Sequence, residues 1–531
     1  MTSRFLPRSP LIAAILIILL CLVGFQFRHY VYEDSIPQRV FPEAAAWLTP
    51  QEHEAAEPKF SVRTSRLHYL VPASQTSLVF CYHLASAAAN QFPAPILIGW
   101  QGAGELDAAK THLAKLRALQ RYLNDTLIPA GNAKSNEDDL VILADGYDVV
   151  VQLPPDIWLE RYFEIATRAD ARLAERFGLS VNDLHARGLR ETIFWGSDKF
   201  CWPWSDRAAR CWAAPPFPDL DSDPAAARGK PPKLKGYGRW LNSGTVIGPL
   251  GDMKRYIDAT MDEISATHDP AFQYSESDQF YLANVWGLQE FSRSLMLNGG
   301  GTGDDAADAA AAAAVSGGPA NRVLPSKRHP DQQTELHVSL DYESALFMTR
   351  AGNEAVLANL RFNASDLSAA LPVKAAPGAA AAPRMRMPAN VEAALTRLYD
   401  AVPGAHPAGA TAAEWIRDVV MGVNFVTRQI YGMWHCTGAK DRIAPDYEAM
   451  WFRPFVAPLM RANVRASQAA AGLLSEKLFD GRRWEARTAF PQGADGDELG
   501  GAWADVRGGG FLPWRVLCGA HQEMLFKGSA P

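Results

Sequence analysis

Apolar runs and amphipathic stretches alternate along the middle of the chain. Runs that predict buried strands lie at residues 77–84, 94–100, 139–153, 191–197, 239–248 and 336–341. Apolar side chains recur at the spacing of one helix face over residues 105–123, 158–177 and 277–286. Strands that alternate with helices in this way predict an α/β fold, in which helices cover a central sheet.

The N-terminus carries an uncharged apolar run at residues 11–27, preceded by two arginines. No small-x-small cleavage site follows directly, so an uncleaved transmembrane signal anchor is the preferred interpretation and a cleaved signal peptide is the alternative. The basic flank predicts a cytosolic tip over residues 1–10 and a lumenal remainder. Sequons at Asn124 and Asn363 agree with this orientation. The chain is therefore predicted to be a type II single-pass protein of the endoplasmic reticulum or Golgi membrane.

Changes in polarity and complexity set the predicted domain boundaries. Residues 28–75 are mixed and polar with several prolines, which predicts a stem. The α/β domain is predicted over residues 76–445, with low-complexity surface insertions near 299–320 and 370–390. Residues 446–531 are interpreted as a C-terminal extension, helical and packed on the domain.

Composition and charge restrict the class of partner. With 48% hydrophobic residues in 531, the chain is long and apolar enough to bury a sizeable core. Lys plus Arg number 52 against 58 for Asp plus Glu, so the net charge is -6 and the basic excess typical of nucleic-acid binding is absent. No nucleic-acid partner is predicted.

Six cysteines are too few for a disulfide-built scaffold in a chain of this length. Cys201 and Cys211, ten positions apart, either form a bridge in an oxidising lumen or remain two buried thiols. Cys81 and Cys436 lie in candidate site segments but lack an evident catalytic base, so packing is preferred to catalysis for both.

Two carboxylates interrupt the apolar run at 139–153. Asp145 and Asp148 follow a strand-like stretch, and the carboxyl ends of strands are where ligands bind in α/β sheets. Hard divalent cations prefer such oxygen ligands and bridge readily to phosphates. A polar turn, built from Asp and Gly, is the alternative for this segment alone.

Four further clusters follow in order along the chain. Asp198 comes after a strand and before an aromatic, proline-containing loop, and Asn242 sits in a small polar break between apolar residues. Asp278 opens an amphipathic stretch, and His435 lies close to a glycine and a lysine. Taken singly, these residues also suit helix caps, turns or an ordinary histidine.

Together these motifs carry a resemblance to a known family. The series reads DGYD (145–148), FCWP (200–203), LNSG (241–244), SDQFY (277–281), LDYES (340–344) and HCTGAK (435–440). It resembles the glycosyltransferase domain of the collagen-modifying lysyl hydroxylases over residues 77–440, and more distantly the glycogenin-type transferases. The resemblance implies a GT-A fold with a mixed, mostly parallel sheet, a UDP-sugar donor, and a divalent cation, with manganese the expected ion.

The resemblance also implies roles for individual residues. The metal would be held by Asp145, Asp148 and His435. Tyr147 would stack on uracil, Gly438 would approach the diphosphate and Lys440 would neutralise it. The sugar and the acceptor hydroxyl would be faced by the catalytic candidates Asp198, Asn242 and Asp278.

Three departures from the family pattern bear on these roles. Gly146 stands where the family has serine, and Lys440 comes one residue early in its motif. Asp278 is the single acid directly before Gln279, where the collagen enzymes carry an acidic run, so a collagen acceptor is not implied.

The resulting hypothesis is a metal-dependent hexosyltransferase that acts on a protein or glycan hydroxyl in the secretory pathway. A glycogenin-like enzyme with another acceptor, and a catalytically silent lumenal binding protein, are the alternatives. The donor sugar, the acceptor and the stereochemical outcome stay open.

Overall fold

The computed structural model describes residues 62–530 except 109, 128–135, 216–237, 301–309, 312–321, 326, 328, 330, 373–382, 407, 470–471, 494–495 and 506–508. The predicted cytosolic tip and transmembrane helix, residues 1–27, lie outside this part of the chain. Within it, none of the helices combines the length and hydropathy that a membrane span requires.

The described chain contains short strands and longer helices in alternation. The strands are β1 Thr64–Pro72, β2 Ile96–Ile98, β3 Leu140–Ala144, β4 Val149–Val151, β5 Ile193–Asp198, β6 Trp240–Pro249, β7 Val338–Asp341, β8 Phe347–Thr349, β9 Leu357–Arg361, β10 Ser368–Ala370, β11 Arg384–Arg386, β12 Val420–Asn424, β13 Gln429–Ile430, β14 Met433–His435, β15 Arg483–Ala486, β16 Gly501–Ala504 and β17 Phe511–Pro513. The helices are α1 Leu78–Ala89, α2 Leu113–Leu127, α3 Pro155–Phe177, α4 Val181–Ala186, α5 Ala209–Trp212, α6 Leu250–Thr267, α7 Asp278–Leu297, α8 Ala389–Asp400, α9 Ala412–Asp418, α10 Ile443–Glu448, α11 Val456–Ala469, α12 Trp514–Leu517 and α13 Gln522–Phe526.

The large sheet has nine strands in the order β17-β16-β2-β1-β3-β6-β5-β7, and β15 also pairs with β1. Strand β1 is parallel to β2, β3 and β15, whereas β6 is antiparallel to both β3 and β5. The predicted α/β class, with a mostly parallel central sheet flanked by helices, is confirmed.

Alternate side chains of the central strands face two separate apolar cores, as the period of a strand requires. On β3, Ile142 and Ala144 join one core, while Val141 and Leu143 join the other. Helices α1, α3, α8 and α11 contribute to the first core and α2, α6 and α7 to the second. The sheet is therefore covered on both faces.

A second, three-stranded sheet lies at the candidate site, in the order β4-β14-β8. Strand β14 is antiparallel to β4 and parallel to β8. The predicted strand at 139–153 is thus two strands in two sheets. The segment DGYD, which connects them, passes from one sheet to the other.

The prediction of a strand at residues 77–84 is wrong, because this segment is helix α1. Ser77 caps the helix, its Oγ accepting from the Phe80 backbone N–H at 3.2 Å. Every residue from Phe80 to Ala89 is buried, so α1 has no polar face. A helix that is apolar on all sides lacks the 3.6-residue pattern that identifies helices from sequence.

Both predicted boundaries of the α/β domain differ from the structure. Residues 64–72, expected in the stem, form the central strand β1. The C-terminal extension does pack helix α11 against α1, but it also adds β15, β16 and β17 to the large sheet. A disulfide joins Cys518 of this extension to Cys81 of α1.

Candidate active site

The DGYD turn is held against the ends of two central strands. The Asp145 N–H donates to the Gly244 carbonyl at 2.8 Å, and the Gly146 N–H donates to the Pro72 carbonyl at 3.2 Å. These bonds fix the turn between β1 and β6. The two aspartates therefore project from a backbone that the sheet itself positions.

Asp145, Asp148 and His435 form a group that could hold a metal ion, with one ligand-type atom of each lying within 4.8 Å of the others. Strand pairing brings the last two together, because Val149 of β4 pairs with His435 of β14. His435 Nε2 lies 3.2 Å from Asp148 Oδ2. Two carboxylates and one imidazole form a donor set that suits a divalent cation.

Gly244 makes room for this group. The pairing of β5 with β6 shifts register here, from Trp195 opposite Val246 to Gly196 opposite Asn242. In this irregularity Gly244 lies so close to this group that a Cβ would stand 2.7 Å from His435 Nε2 and 2.9 Å from Asp145 Oδ2. A bulge beside a functional site is a known way to bring backbone close to a ligand.

Charged side chains of both signs surround Asp145, Asp148 and His435, which we call the metal group. Burial raises the pKa of the Asp148 carboxyl, but His435 and Lys440 lower it by more, so Asp148 remains ionised. Burial lowers the pKa of His435, but Asp148 raises it by more. The Lys440 ammonium donates to Asp148 Oδ2 and to the Cys436 carbonyl, the latter at 2.8 Å.

Lys115 is a member of the site that the sequence reasoning missed. Its ammonium donates to Asp145 Oδ1 and to the Ser243 carbonyl, each at 3.0 Å, and it forms an ion pair with Asp278. Burial lowers the pKa of Lys115, but the two aspartates raise it by more. The sequence did contain one indication that Lys115 faces the protein interior. Lys115 stands four residues before Leu119, one helical turn away on the apolar side of α2.

The three predicted catalytic residues lie together in the site. Asn242 Nδ2 donates to Asp198 Oδ2 at 3.0 Å, and its Oδ1 accepts from the Gly244 N–H at 3.0 Å. Gln279, next to Asp278, fixes β6 by donating to the Leu241 carbonyl at 2.9 Å. Burial raises the pKa of Asp198, while the Asn242 hydrogen bond partly lowers it.

The predicted nucleotide-binding residues belong to the DGYD turn and to the segment that follows β14. The Tyr147 hydroxyl accepts from the N–H groups of Ser74 and Gln75, at 2.9 and 3.0 Å, which fixes its ring beside the cavity. Gly438 has a positive φ of 76°, a conformation that other residues rarely adopt. Lys440 reaches the site despite its offset within the motif.

One cavity of about 910 Å³ collects all nine predicted site residues. The apolar part of its lining includes Pro72, Val79, Ile98, Leu106 and Ile443, and the exposed rings of Phe200 and Trp202 also line it. A cavity of this size, with apolar side chains and convergent polar groups in its lining, suits a small organic ligand.

The described cysteines occupy three kinds of position. Cys201 and Cys211 form a disulfide, which is the first of the two predicted alternatives. Cys81 is bound to Cys518, and Cys436 is a buried thiol beside His435. For Cys81 a disulfide that was not predicted takes the place of the expected packing, whereas Cys436 is buried as expected.

Comparisons with known proteins add no family assignment. No protein-family model matches the chain, and no curated protein matches it significantly.

Gly146→Ser, which would introduce the residue typical of the resembled family, is expected to destabilise this protein. A Cβ at position 146 would stand 2.5 Å from the Pro72 carbonyl oxygen, so the DGYD turn must move away from β1. We expect a loss of about 1–3 kcal/mol in the free energy of unfolding. Urea denaturation of the variant measures it. Gly404→Ser is the matched control, because a Cβ there meets nothing within 4 Å. Equal stability of the two variants would contradict the close packing of the turn.

Proposed function

We propose that the protein is a metal-dependent glycosyltransferase of the GT-A type, which moves a hexose from a UDP-sugar to a hydroxyl of a protein or glycan. The observation that carries this proposal is the convergence of Asp145, Asp148 and His435 in a cavity that is lined by apolar side chains and by further carboxylates. The motifs that meet there come from segments far apart in the sequence. A glycogenin-like transferase with another acceptor has the same site requirements.

Manganese or a similar divalent cation fits the residues present. The two aspartates offer hard oxygen ligands, His435 offers an imidazole nitrogen, and Gly244 leaves the space between them free of side chain. When bound, such an ion offsets the negative charge that develops on a departing diphosphate. Lys440, which already contacts Asp148, adds a second positive charge on the same side.

The UDP-sugar donor would lie along the cavity, with its uracil ring against the apolar side chains of the lining. Tyr147 presents a ring that is tied by its hydroxyl and therefore loses little freedom when a base stacks on it. The hexose would then lie between Lys115 and Asn242, near the Asp198 and Asp278 carboxylates. This orientation places the anomeric carbon within reach of an acceptor that enters past Phe200 and Trp202.

Transfer breaks the bond between the anomeric carbon and the diphosphate oxygen, whose electron pair leaves with UDP. The acceptor oxygen forms the new bond to the same carbon and loses its proton. Asp278 is neutralised by Lys115, whereas the partner of the Asp198 carboxylate is the neutral amide of Asn242. Burial raises the pKa of Asp198, and without a cationic partner this carboxylate is the proposed proton acceptor.

Two observations support the proposed location in the secretory pathway. The disulfides Cys81–Cys518 and Cys201–Cys211 are typical of proteins that fold in an oxidising compartment. Of the two sequons, the one at Asn363 is exposed, whereas Asn124 lies within α2. The signal anchor at residues 11–27 would hold the protein in the membrane with its catalytic domain in the lumen.

Asp148→Asn is expected to lower metal-dependent turnover of the preferred UDP-sugar by at least about 100-fold, because it removes a charged metal ligand. The full-length protein, purified in detergent, is assayed against a panel of UDP-sugars with manganese and with EDTA. Asp138→Asn is the control, since Asp138 is exposed and pairs only with Arg63 among the described residues. The absence of metal-dependent turnover with every UDP-sugar would reject the enzyme and favour a lumenal binding protein. Equal activity of the two variants would reject the metal site.

A further inference from the structure

Exposed aromatic side chains are concentrated in two segments next to the cavity, and two of them belong to its lining. Among the described residues, the aromatic members of the exposed large apolar side chains are Phe200, Trp202, Trp204 and Phe272, with 63%, 48%, 70% and 38% of their surface accessible. Single exposed apolar residues are common, but a contiguous group marks an interaction site. We call these four residues, together with Tyr274, the aromatic rim.

Ring contacts connect the two segments of the aromatic rim. The Trp202 and Tyr274 rings meet edge to face with centroids 5.2 Å apart, and Tyr274 contacts Phe272 at 5.6 Å. Trp204 lies two residues after Trp202 on the same loop. The β5–α5 loop and the segment before α7 are thus in contact through Trp202 and Tyr274, and Trp204 is exposed on the same loop.

The loop that carries the aromatic rim is held in place rather than free to collapse. The Cys201–Cys211 disulfide closes it, and Arg210 donates to the Pro203 carbonyl at 3.2 and 2.8 Å. The Phe200 ring packs on Gly352 so closely that a Cβ there would stand 2.5 Å from its Cε2 atom. A preformed aromatic surface binds its ligand with little loss of side-chain entropy.

The aromatic rim is continuous with the cavity. Phe200 and Trp202 line the cavity and follow Asp198 by two and four residues, while Tyr274 stands four residues before Asp278. A molecule lying on the rim therefore presents its groups to the two carboxylates. Under the proposed function, the molecule in that position is the acceptor.

We infer that the aromatic rim is the acceptor subsite and that the acceptor is a glycan, whose sugar rings stack on the exposed aromatic faces. This inference rests on the proposed glycosyltransferase function and names its acceptor class. The faces of aromatic rings are electron-rich and attract the polarised C–H groups of a sugar ring, while the sugar hydroxyls stay hydrated. The transferred hexose would then extend an existing sugar chain by a new bond to one of its hydroxyl oxygens, whose proton passes to Asp198.

The charges near the rim favour a glycan over a basic peptide acceptor. Two of the nearby carboxylates are paired with cationic side chains, Glu276 with His268 at 2.8 Å and Asp278 with Lys115. These two carboxylates therefore attract a basic peptide less than unpaired carboxylates would.

Trp204→Ala and Phe272→Ala test the inference, because neither residue lines the cavity. We expect each to raise the KM for an oligosaccharide acceptor by about tenfold, with the KM for the UDP-sugar changed less than about twofold. A panel of neutral free oligosaccharides and a hydroxylysine-containing collagen-like peptide serve as acceptors. Met524→Ala and Val516→Ala are controls, since both residues are exposed elsewhere on the protein, at 54% and 62%. Binding of the same oligosaccharides is measured separately by saturation-transfer NMR.

The outcomes separate this inference from the proposed function. Two results would overturn the inference that the acceptor is a glycan but leave the proposed transferase activity intact. One is transfer to the peptide alone, and the other is an oligosaccharide KM that neither rim variant changes. Loss of oligosaccharide binding in both rim variants, with the thermal midpoints of unfolding unchanged, supports it. If no UDP-sugar is turned over in a metal-dependent way, the proposed function fails. In that case, oligosaccharide binding detected by NMR and lost in the Trp204 and Phe272 variants would still support a glycan-binding rim. The absence of such binding would overturn the glycan-binding rim as well.

Discussion

Gly244→Ala is expected to abolish metal binding and to lower UDP-sugar turnover by at least about 100-fold. The new Cβ would stand 2.7 Å from His435 Nε2 and 2.9 Å from Asp145 Oδ2, so it occupies the space between two predicted ligands. Neither ligand can retreat easily, because His435 is buried and Asp145 is held to β6 by its own backbone N–H. Isothermal titration with manganese and the hydrolysis assay measure the two effects.

Gly404→Ala is the control for this substitution, since a Cβ at position 404 meets nothing within 4 Å. Manganese affinity and turnover should stay at the wild-type level in the control. Tight manganese binding by Gly244→Ala would show that the metal does not lie between Asp145 and His435. Comparing the thermal midpoints of both variants with the wild type separates a local effect from loss of the fold.

Lys115→Met is expected to lower the free energy of unfolding by about 3 kcal/mol when divalent metal is absent. Methionine keeps the length of the side chain but removes the charge, so Asp145 and Asp278 face each other without their shared cation. The Lys115 and Asp278 side chains are only 10% and 7% exposed, and water screens their interaction weakly. Urea denaturation in EDTA measures the loss.

Manganese should then stabilise Lys115→Met more than it stabilises the wild type. The ammonium repels a divalent cation and competes for Asp145 Oδ1, so its removal strengthens metal binding at the same carboxylate. Lys254→Met is the control, because the half-exposed pair of Lys254 with Asp258 lies on one helix and contributes less than about 0.5 kcal/mol. Equal losses in the two variants would contradict the buried pairing of Lys115. An equal response to manganese in wild type and Lys115→Met would exclude Asp145 as a ligand.

Much of the sheet could be predicted because its strands carry uninterrupted apolar runs. The segments at 94–100, 191–197, 239–248 and 336–341 form strands β2, β5, β6 and β7. Helix α1 could not be recognised, since a segment buried on every side has no periodic pattern to read. The C-terminal strands were missed for another reason. Each has three or four residues and includes partly exposed positions, so their pairing with distant partners is decided by the tertiary fold.

The members of the candidate site that belong to short sequence motifs could be predicted. Asp148 and His435 are far apart in the sequence, and strand pairing brings them together. Lys115 was not predicted, because a lysine in an amphipathic helix normally faces water and only the three-dimensional structure places it between two acids. The role of Gly244 was equally inaccessible, since it depends on a register shift between β5 and β6.

The pairing of β1 with β15 and of β2 with β16 constrains how the protein can be made. The first strands of the sheet leave the ribosome early, but their neighbours lie in the C-terminal part of the chain, and Cys518, the partner of Cys81, comes 437 residues after it. At about 5–20 residues per second, that interval lasts roughly 20–90 seconds. During it, one side of β1 and β2 is open to wrong partners, because the chain cannot yet close its sheet or form the Cys81–Cys518 disulfide.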